Sequence, residues 1–451
     1  MNVLLITYSF PPAAGVGVLR ALSLAKYLPE SDIRLDVLTA RNAAAVGQDH
    51  GLLTQVPAGV TVHRTWTPDL PFALRKGIKK LLSRGAPSGS SAPTQAGSTL
   101  GRPNPIKQWV ANLLLPDPQL GWVPFAVRAA RRIIRERQID VVLLTVPPFS
   151  SVRTVTRLRR LFPALRIVLD FRDEWLTSTI HLVSFNNNQR AKDVAFKAES
   201  EAVRAASAVV CVTEAAAAKL RKRYPAEPAD KFVCIPNGYD KQPPTDLSAR
   251  SVPVQSSSDL TTFTYIGTVY GSTDPETVVD ALLSLPPEVQ SRLRLRFIGH
   301  IETPALRETL RRLTQSPVTL ELIGFLPQAQ ALAHIAETDY LLLITHDPIN
   351  VAAKLYDYLG SGRPIVAAVH PTGDVRRILD RTRAGWSASI QEPAAIAQLF
   401  TDAVARRPNL AQQFQPDYEA IAAYHRKPLA ARYAKFLHSI AATRTPVAER
   451  P

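Results

Sequence analysis

Short apolar runs that carry almost no charge recur along this chain, and a helix-length amphipathic stretch follows most of them. "VLLIT" opens it, and "VVLLT" (141–145), "RIVLD" (166–170) and "AVVCVT" (208–213) follow. After residue 260 the series restarts with "TFTYIG" (262–267) and runs through "YLLLIT" (340–345). A strand that is apolar at successive positions must be covered on both faces, which requires a parallel sheet with helical crossovers. Proline- and serine-rich "KQPPTDLSARSVPVQSSSD" (241–259) divides the series once. The predicted fold class is therefore α/β, with two doubly wound domains. The expected spans are 1–240, a linker at 241–259, a second domain at 260–414, an amphipathic helix within 415–442 and a tail at 443–451. The chain's 451 residues suit two such cores.

The first domain carries an interruption at about 68–106. "FALRKGIKKLLSRG" (72–85) sets Leu74, Ile78, Leu81 and Leu82 on one helical stripe beside Arg75, Lys76, Lys79 and Lys80. The "GAPSGSSAPTQAGSTLGRPNP" that follows has no apolar period and reads as a loop. Charge is concentrated in the same half. Residues 1–240 hold 32 Lys+Arg against 18 Asp+Glu, whereas 241–451 hold 22 against 20. The partner of the N-terminal half is expected to be anionic, or to lie at an anionic surface. An ordinary solvated basic face is the alternative. Nucleic acid is not the expected partner, because no basic motif is interleaved with aromatic residues.

The two cysteines, Cys211 and Cys234, both fall inside strand patterns and read as buried reduced thiols. No His/Cys/Asp/Glu cluster has metal-ligand spacing, so no metal is expected. The apolar runs are too short to cross a bilayer, and the first ends at Pro11-Pro12 without a basic leader or cleavage site. A cytoplasmic location is expected, peripheral at the inner membrane face if the basic segment lies on lipid.

The first strand feeds "PPAAGVGVLRAL" (11–22). A dinucleotide fingerprint needs a third glycine, and Arg20 stands there; the next strand ends in Thr39 and Ala40 with no acid at its tip. Nicotinamide and flavin chemistry are not expected from that motif. Gly15 and Gly17 remain either a wall for close backbone approach to a ligand or a tight turn needing glycine for its own geometry.

Four stretches in order then carry a resemblance: "VLDFRDEW", "VVCVTEAAAAKL" with "VCIPNGYD", "TFTYIGTVYGSTDPETVVDAL", and "INVAAKLYDYLGSGRPIVA". Together, from Asn2 to about Ser439, the chain resembles the nucleotide-sugar glycosyltransferases of the GT-B fold, in particular the retaining family four. The resemblance implies two Rossmann-like domains facing across a cleft, the C-terminal helix returning to the first, and a nucleotide-diphosphate sugar held mainly by the second. It implies no cofactor beyond that donor and no metal.

On this resemblance, a diphosphate docks at the start of the helix containing Lys354, with Thr268 in the loop opposite, Asp357 on the ribose and Arg363 as a second cation. The physics agrees, since free N–H groups and the helix dipole favour an anion there; a sheet-covering helix with solvated side chains is the competing view. Gly15 and Gly17 become the phosphate-side wall. Arg172 balances phosphate charge and Asp173 orients the acceptor hydroxyl, with Asp170 and the basic Arg75, Lys76, Lys79 and Lys80 on the acceptor side. A structural Arg–Asp ion pair is the alternative for "DFRD". Two departures stand out: Ile349 replaces the first glutamate of the family's Glu-x7-Glu, and "GTVYGSTD" lacks the usual Arg and Lys. The expected activity is sugar transfer with retention to a glycan or lipid-linked acceptor in envelope glycan synthesis. An epimerase of the same fold and a non-catalytic binding protein are the rivals.

Overall fold

A computed structural model of the chain describes residues 1–43, 47–68, 115–177, 189–240 and 259–442. The linker, most of the 68–106 insertion with its basic segment, and the tail lie outside these residues.

Two all-parallel sheets form two lobes. The first has the order β3-β2-β1-β4-β5-β6-β7, built from β1 (Asn2–Ile6), β2 (Arg34–Ala40), β3 (Thr61–Thr65), β4 (Val141–Val146), β5 (Arg166–Phe171), β6 (Ala208–Cys211) and β7 (Phe232–Cys234). The second has the order β10-β9-β8-β11-β12-β13, built from β8 (Thr261–Ile266), β9 (Leu293–Ile298), β10 (Thr319–Gly324), β11 (Tyr340–Thr345), β12 (Ile365–Val369) and β13 (Gly385–Ser389). Strand order reverses at β1/β4 and again at β8/β11, where Val3 faces Val141 and Tyr340 faces Phe263. In open parallel sheets such reversals leave a crevice at the carboxyl edge, where ligands bind.

Helices cover both faces of each sheet, as the apolar strands require. In the first lobe α1 (Val16–Tyr27) lies on one face, and α2 (Val123–Glu136), α3 (Val152–Leu161), α4 (Gln189–Ala205) and α5 (Glu214–Arg223) on the other. In the second, α6 (Glu276–Leu283), α7 (Pro304–Arg311), α8 (Gln328–Ala333), α9 (Ala353–Ser361), α10 (Asp374–Thr382) and α11 (Pro393–Arg406) follow. The last helix, α12 (Arg426–Ala442), returns to the first lobe and buries Leu429, Tyr433, Ala434 and Leu437 in the cluster beneath α1.

Cys211 and Cys234 are register partners in β6 and β7 and remain free thiols. Burial pushes Cys234 up to about 12 and Cys211 well above its ordinary value, so neither is a reactive thiolate. Among the described residues no helix is long and apolar enough to cross a membrane.

Candidate active site between the lobes

The site is assembled from the strand ends at the two reversals. On the C-terminal side, Gly267 follows β8 and the loop continues through Thr268, which is exposed. That loop is tied to the end of β11: the His346 N–H donates to Ser272 O at 2.9 Å and the His346 ring meets Asp274 O at 2.9 Å. Past β11, Asp347 accepts from the N–H groups of Ile349 at 2.8 Å and Asn350 at 3.0 Å, which turns the chain into α9. The helix starts at Ala353, and its N-cap, Ala352, supplies no side-chain acceptor. First-turn N–H groups without a side-chain cap form the positive end of a helix dipole.

Lys354 stands in that first turn. Its Nζ lies 3.7 Å from the centre of the Tyr265 ring and has no hydrogen-bond partner among the described residues. Burial alone pulls its pKa down to about 7. Gly267 makes room for it: a Cβ there would sit 3.0 Å from the amine, at a φ of +125° that side chains rarely adopt. The amine is thus folded back on the cleft edge of β8 instead of reaching into open space. Two tyrosines fix this corner, since the Ile266 N–H donates to the Tyr358 hydroxyl at 2.8 Å and the Tyr265 hydroxyl to Thr268 O at 2.9 Å.

Asp357 lies one turn further along α9, half-buried. Arg363, expected to assist Lys354, is at the other end of the helix. Its guanidinium donates to Ala336 O at 3.3 Å. Lys354 is in the first turn of α9 and Arg363 lies just past its C-cap, Gly362, so the two residues stand at opposite ends of the helix.

On the N-terminal side the three acids of "DFRDEW" have separate fates. Asp170 is fully buried and accepts a fork from Arg20, with Nη2 at 2.7 Å and Nε at 2.9 Å. Arg20 also donates to Ile235 O at 3.0 Å and Pro236 O at 3.1 Å. Burial works against the Arg20 charge, yet Asp170 beside it holds the pKa above the usual arginine value. The Asp170 expectation is therefore corrected: its carboxylate is committed to a structural ion pair and offers an acceptor nothing. Glu174 accepts from Arg223 at 2.5 Å. Asp173 is the acid of this stretch that lines the inter-lobe cavity.

Arg172 is half committed. Its Nε donates to Val146 O at 3.3 Å, and its two terminal nitrogens donate to Gly17 O and Pro147 O. Each terminal nitrogen keeps a second N–H. The close approach that Gly17 permits is to this guanidinium, since a Cβ there would lie 2.7 Å from Nη1. The glycine serves Arg172 first and a ligand through it. Gly15, at φ +126° with open space around it, is the N-cap of α1.

A cavity of about 390 Å³ is bounded by Gly17, Pro147, Arg172, Asp173, Asn237 and Ala353, while Lys354, Asp357, Thr268 and Gly15 are not among its lining residues. It joins β1, β4 and β5 ends of one lobe to the first residue of α9 in the other. The lobes also touch directly. Ile349 packs into the first lobe's hydrophobic cluster with Phe149 and Trp175, and the Ala215 N–H of α5 donates to the Asp374 carboxylate at 2.8 Å. Two aromatic residues at this edge were not anticipated from the sequence. Burial raises the Tyr270 phenol, helped by the charges of Asp347 and Asp173, which places this loop across from the "DFRD" tip. Phe325, immediately after β10, is 80% exposed. Neither sits in a pattern that marks a site. Arg75, Lys76, Lys79 and Lys80 lie outside the described residues. Among the described residues no group of three or more His, Cys, Asp or Glu could hold a metal ion.

Two Rossmann-like lobes, a crevice at paired strand-order reversals and a helix that returns to the first lobe define the GT-B fold. Solved structures share it over nearly their full length. Anabaena HepE in complex with UDP and glucose matches at TM-score 0.60 and 16% identity, covering 97% of this chain and 99% of that one. Sucrose-phosphate synthase from Thermosynechococcus elongatus matches at TM-score 0.62 and 12% identity, covering 97% and 98%. The lipopolysaccharide outer core galactosyltransferase WaaB matches at TM-score 0.57 and 12% identity, covering 97% and 99%. No curated protein matches the sequence. The sequence profile of Glycosyltransferase Family 4 matches residues 14–242, just over half of the 451, and the chain belongs to that family.

Proposed function

We propose that this glycosyltransferase moves a sugar from a nucleoside diphosphate sugar to a glycan or lipid-linked acceptor, with retention at the anomeric carbon, in envelope or surface polysaccharide assembly. The observation that carries the reading is Lys354: a buried amine without a hydrogen-bond partner among the described residues, beside a helix start without a side-chain cap, at a strand-order reversal. A buried unpaired cation costs free energy unless an anion completes it. A diphosphate supplies two such anions at the positive end of α9. Because HepE structures hold UDP and UDP-glucose, a UDP-sugar is the first donor to try.

In this reading the C1–O bond to the diphosphate breaks while Lys354 and the α9 N–H groups take up the developing charge. The acceptor oxygen bonds to C1 from the same face, and its proton passes to the departing phosphate oxygen. No protein nucleophile and no metal are required by this scheme. Asp173 orients the acceptor hydroxyl, Arg172 adds positive charge through its remaining N–H groups, Asp357 meets the ribose, Thr268 the diphosphate side, and Phe325 offers its exposed face to the base. The acceptor is delivered at an anionic membrane surface, where the basic 72–84 segment contributes.

The test is a thermal-shift panel of UDP-, GDP- and ADP-sugars against the wild-type chain and Lys354→Met, followed by NMR of the product's anomeric configuration. A stabilising shift lost in the variant supports the reading. Equal shifts in both proteins remove Lys354 from the donor site, and an inverted product removes retention.

A further inference from the structure

The helical layer over one face of the first sheet carries a charge distribution that donor chemistry leaves unused. Helices α2 and α3 lie side by side there and together hold eight arginines and one acid, Glu136. Their inward faces are apolar: Ala126, Ala130, Ile133 and Ile134 on α2, and Val152, Val155 and Leu158 on α3. Arg128, Arg131, Arg132 and Arg135 are all exposed on α2, as are Arg157 and Arg160 on α3. Glu136 offsets little of this, meeting Arg132 at 3.8 Å on an exposed surface.

At the cleft end of the same layer, two aromatic rings stand in solvent. Trp66 follows the carboxyl end of β3 and is 53% exposed; Phe125, in the first turn of α2, is 38% exposed. Their rings meet edge to face at 5.1 Å. The rim is held by the neighbouring Trp122, whose Nε1 donates to Thr65 Oγ1 at 2.8 Å. An arginine field that ends in exposed aromatic rings matches a lipid interface, where cations meet anionic headgroups and amphipathic rings sit at headgroup depth.

We infer that the outer face of α2 and α3, with Trp66 and Phe125 at its cleft end, is the surface on which this protein lies against an anionic membrane. The inference rests on the lipid-linked acceptor reading and deepens it by naming described residues that orient the enzyme. With the arginines on the headgroups, the aromatic pair sits between the bilayer and the mouth of the cleft. An acceptor in that leaflet then enters from the side of Asp173.

The test is flotation of the full chain with vesicles of phosphatidylcholine and phosphatidylglycerol, about two to one, against phosphatidylcholine alone. Wild-type protein floats with the anionic vesicles, and brominated lipid quenches a tryptophan signal that Trp66→Phe removes. The triple variant Arg128→Gln/Arg131→Gln/Arg135→Gln partitions about tenfold or more weakly while its donor-induced thermal shift stays at the wild-type value. Equal partitioning of that variant overturns the inference, as does loss of binding confined to Arg75→Gln/Lys76→Gln/Lys79→Gln/Lys80→Gln. Displacement by duplex RNA at lower concentration than by anionic vesicles assigns the face to nucleic acid and also overturns it. The acceptor reading fails separately, if vesicle-bound enzyme transfers sugar to a water-soluble glycan as fast as to a lipid-linked one.

Discussion

The Lys354 amine rests 3.7 Å from the centre of the Tyr265 ring, buried and without a hydrogen-bond partner among the described residues. The ring face attracts the cation but does not replace its hydration, so burial lowers the amine from 10.5 to about 7. A diphosphate at the start of α9 reverses that shift and makes the site take up a proton. Donor affinity is therefore full below the free amine's pKa and declines as pH rises through it towards the value in the complex. Calorimetric titration of UDP in buffers of different ionisation enthalpy reads the proton uptake directly. Lys354→Met abolishes the uptake, and a pH-independent affinity in the wild-type chain contradicts the assignment.

The same lysine sets a stability slope in the free enzyme. In the unfolded chain its amine returns to about 10.5, so between about 7 and 10.5 the unfolded state binds more protons than the folded one. Stability then rises with pH across that window and is flat with respect to this group below it. The integrated effect is on the order of a few kcal/mol. Lys354→Met removes this slope and stabilises the free enzyme at neutral pH, read as urea midpoints across a pH series. Parallel pH profiles for the two proteins place the amine in solvent instead.

Arg20 and Asp170 join the first helix to the centre of the first sheet and, through Ile235 and Pro236, to the chain leaving that lobe. Asp170→Asn strands a buried guanidinium and costs about 3–5 kcal/mol, because the remaining charge loses its partner. The double variant Arg20→Met/Asp170→Leu recovers much of that loss, since no charge remains buried. Denaturant unfolding of the single and double variants measures both terms. Equal loss in the two rules out charge burial as the cause.

Much of the architecture was legible because it depends on burial at both faces of a strand. The runs at 141–145 and 340–345 could only be interior parallel strands, and they flank the two strand-order reversals. Two of the four edge strands were missed for the same reason. β3 (Thr61–Thr65, "TVHRT") and β13 (Gly385–Ser389, "GWSAS") pair on one side only and carry polar or small residues with no continuous apolar run. At the site, the position of Lys354 followed from the strand–loop–helix order. Its burial on Tyr265 did not, because that contact crosses from α9 to β8. The division of labour within "DFRDEW" was equally hidden: adjacent carboxylates point to Arg20, the cavity and Arg223, and partners that distant in sequence leave no local pattern.

Gly17, in the first turn of α1, lies directly against the Arg172 guanidinium. In Gly17→Ala the new methyl lies 2.7 Å from Nη1, so the guanidinium must leave the carbonyls of Gly17 and Pro147. Transfer falls by about tenfold or more as the positive charge moves. Donor binding to the second lobe changes less, so the loss is in kcat rather than in affinity. Gly17→Ala/Arg172→Ala separates the effects, since removing Arg172 relieves the clash without restoring the rate. A Gly17→Ala enzyme with wild-type kcat sinks this account.

On the family resemblance Ile349 stands at the first glutamate of the Glu-x7-Glu pattern, and its burial gives this position a packing role here. The side chain is 2% exposed and joins the cluster of the opposite lobe with Phe149 and Trp175, whose rings stack at 4.6 Å. The backbone at this point is held independently, by the Asp347 carboxylate accepting from Ile349 N and Asn350 N. A change of side chain therefore tests the contact between lobes without unravelling the loop. Ile349→Glu places an ionisable carboxylate in an apolar cluster, and the carboxylate escapes by parting the lobes. The expected results are a larger radius of gyration in small-angle scattering, a red shift of Trp175 emission, and transfer reduced by about tenfold or more with donor affinity nearly retained. Ile349→Val, which trims one methyl from the same contact, costs about 1 kcal/mol and leaves the lobes closed. If Ile349→Glu keeps the radius of gyration and raises the rate, the position is a latent sugar contact and the packing account is wrong.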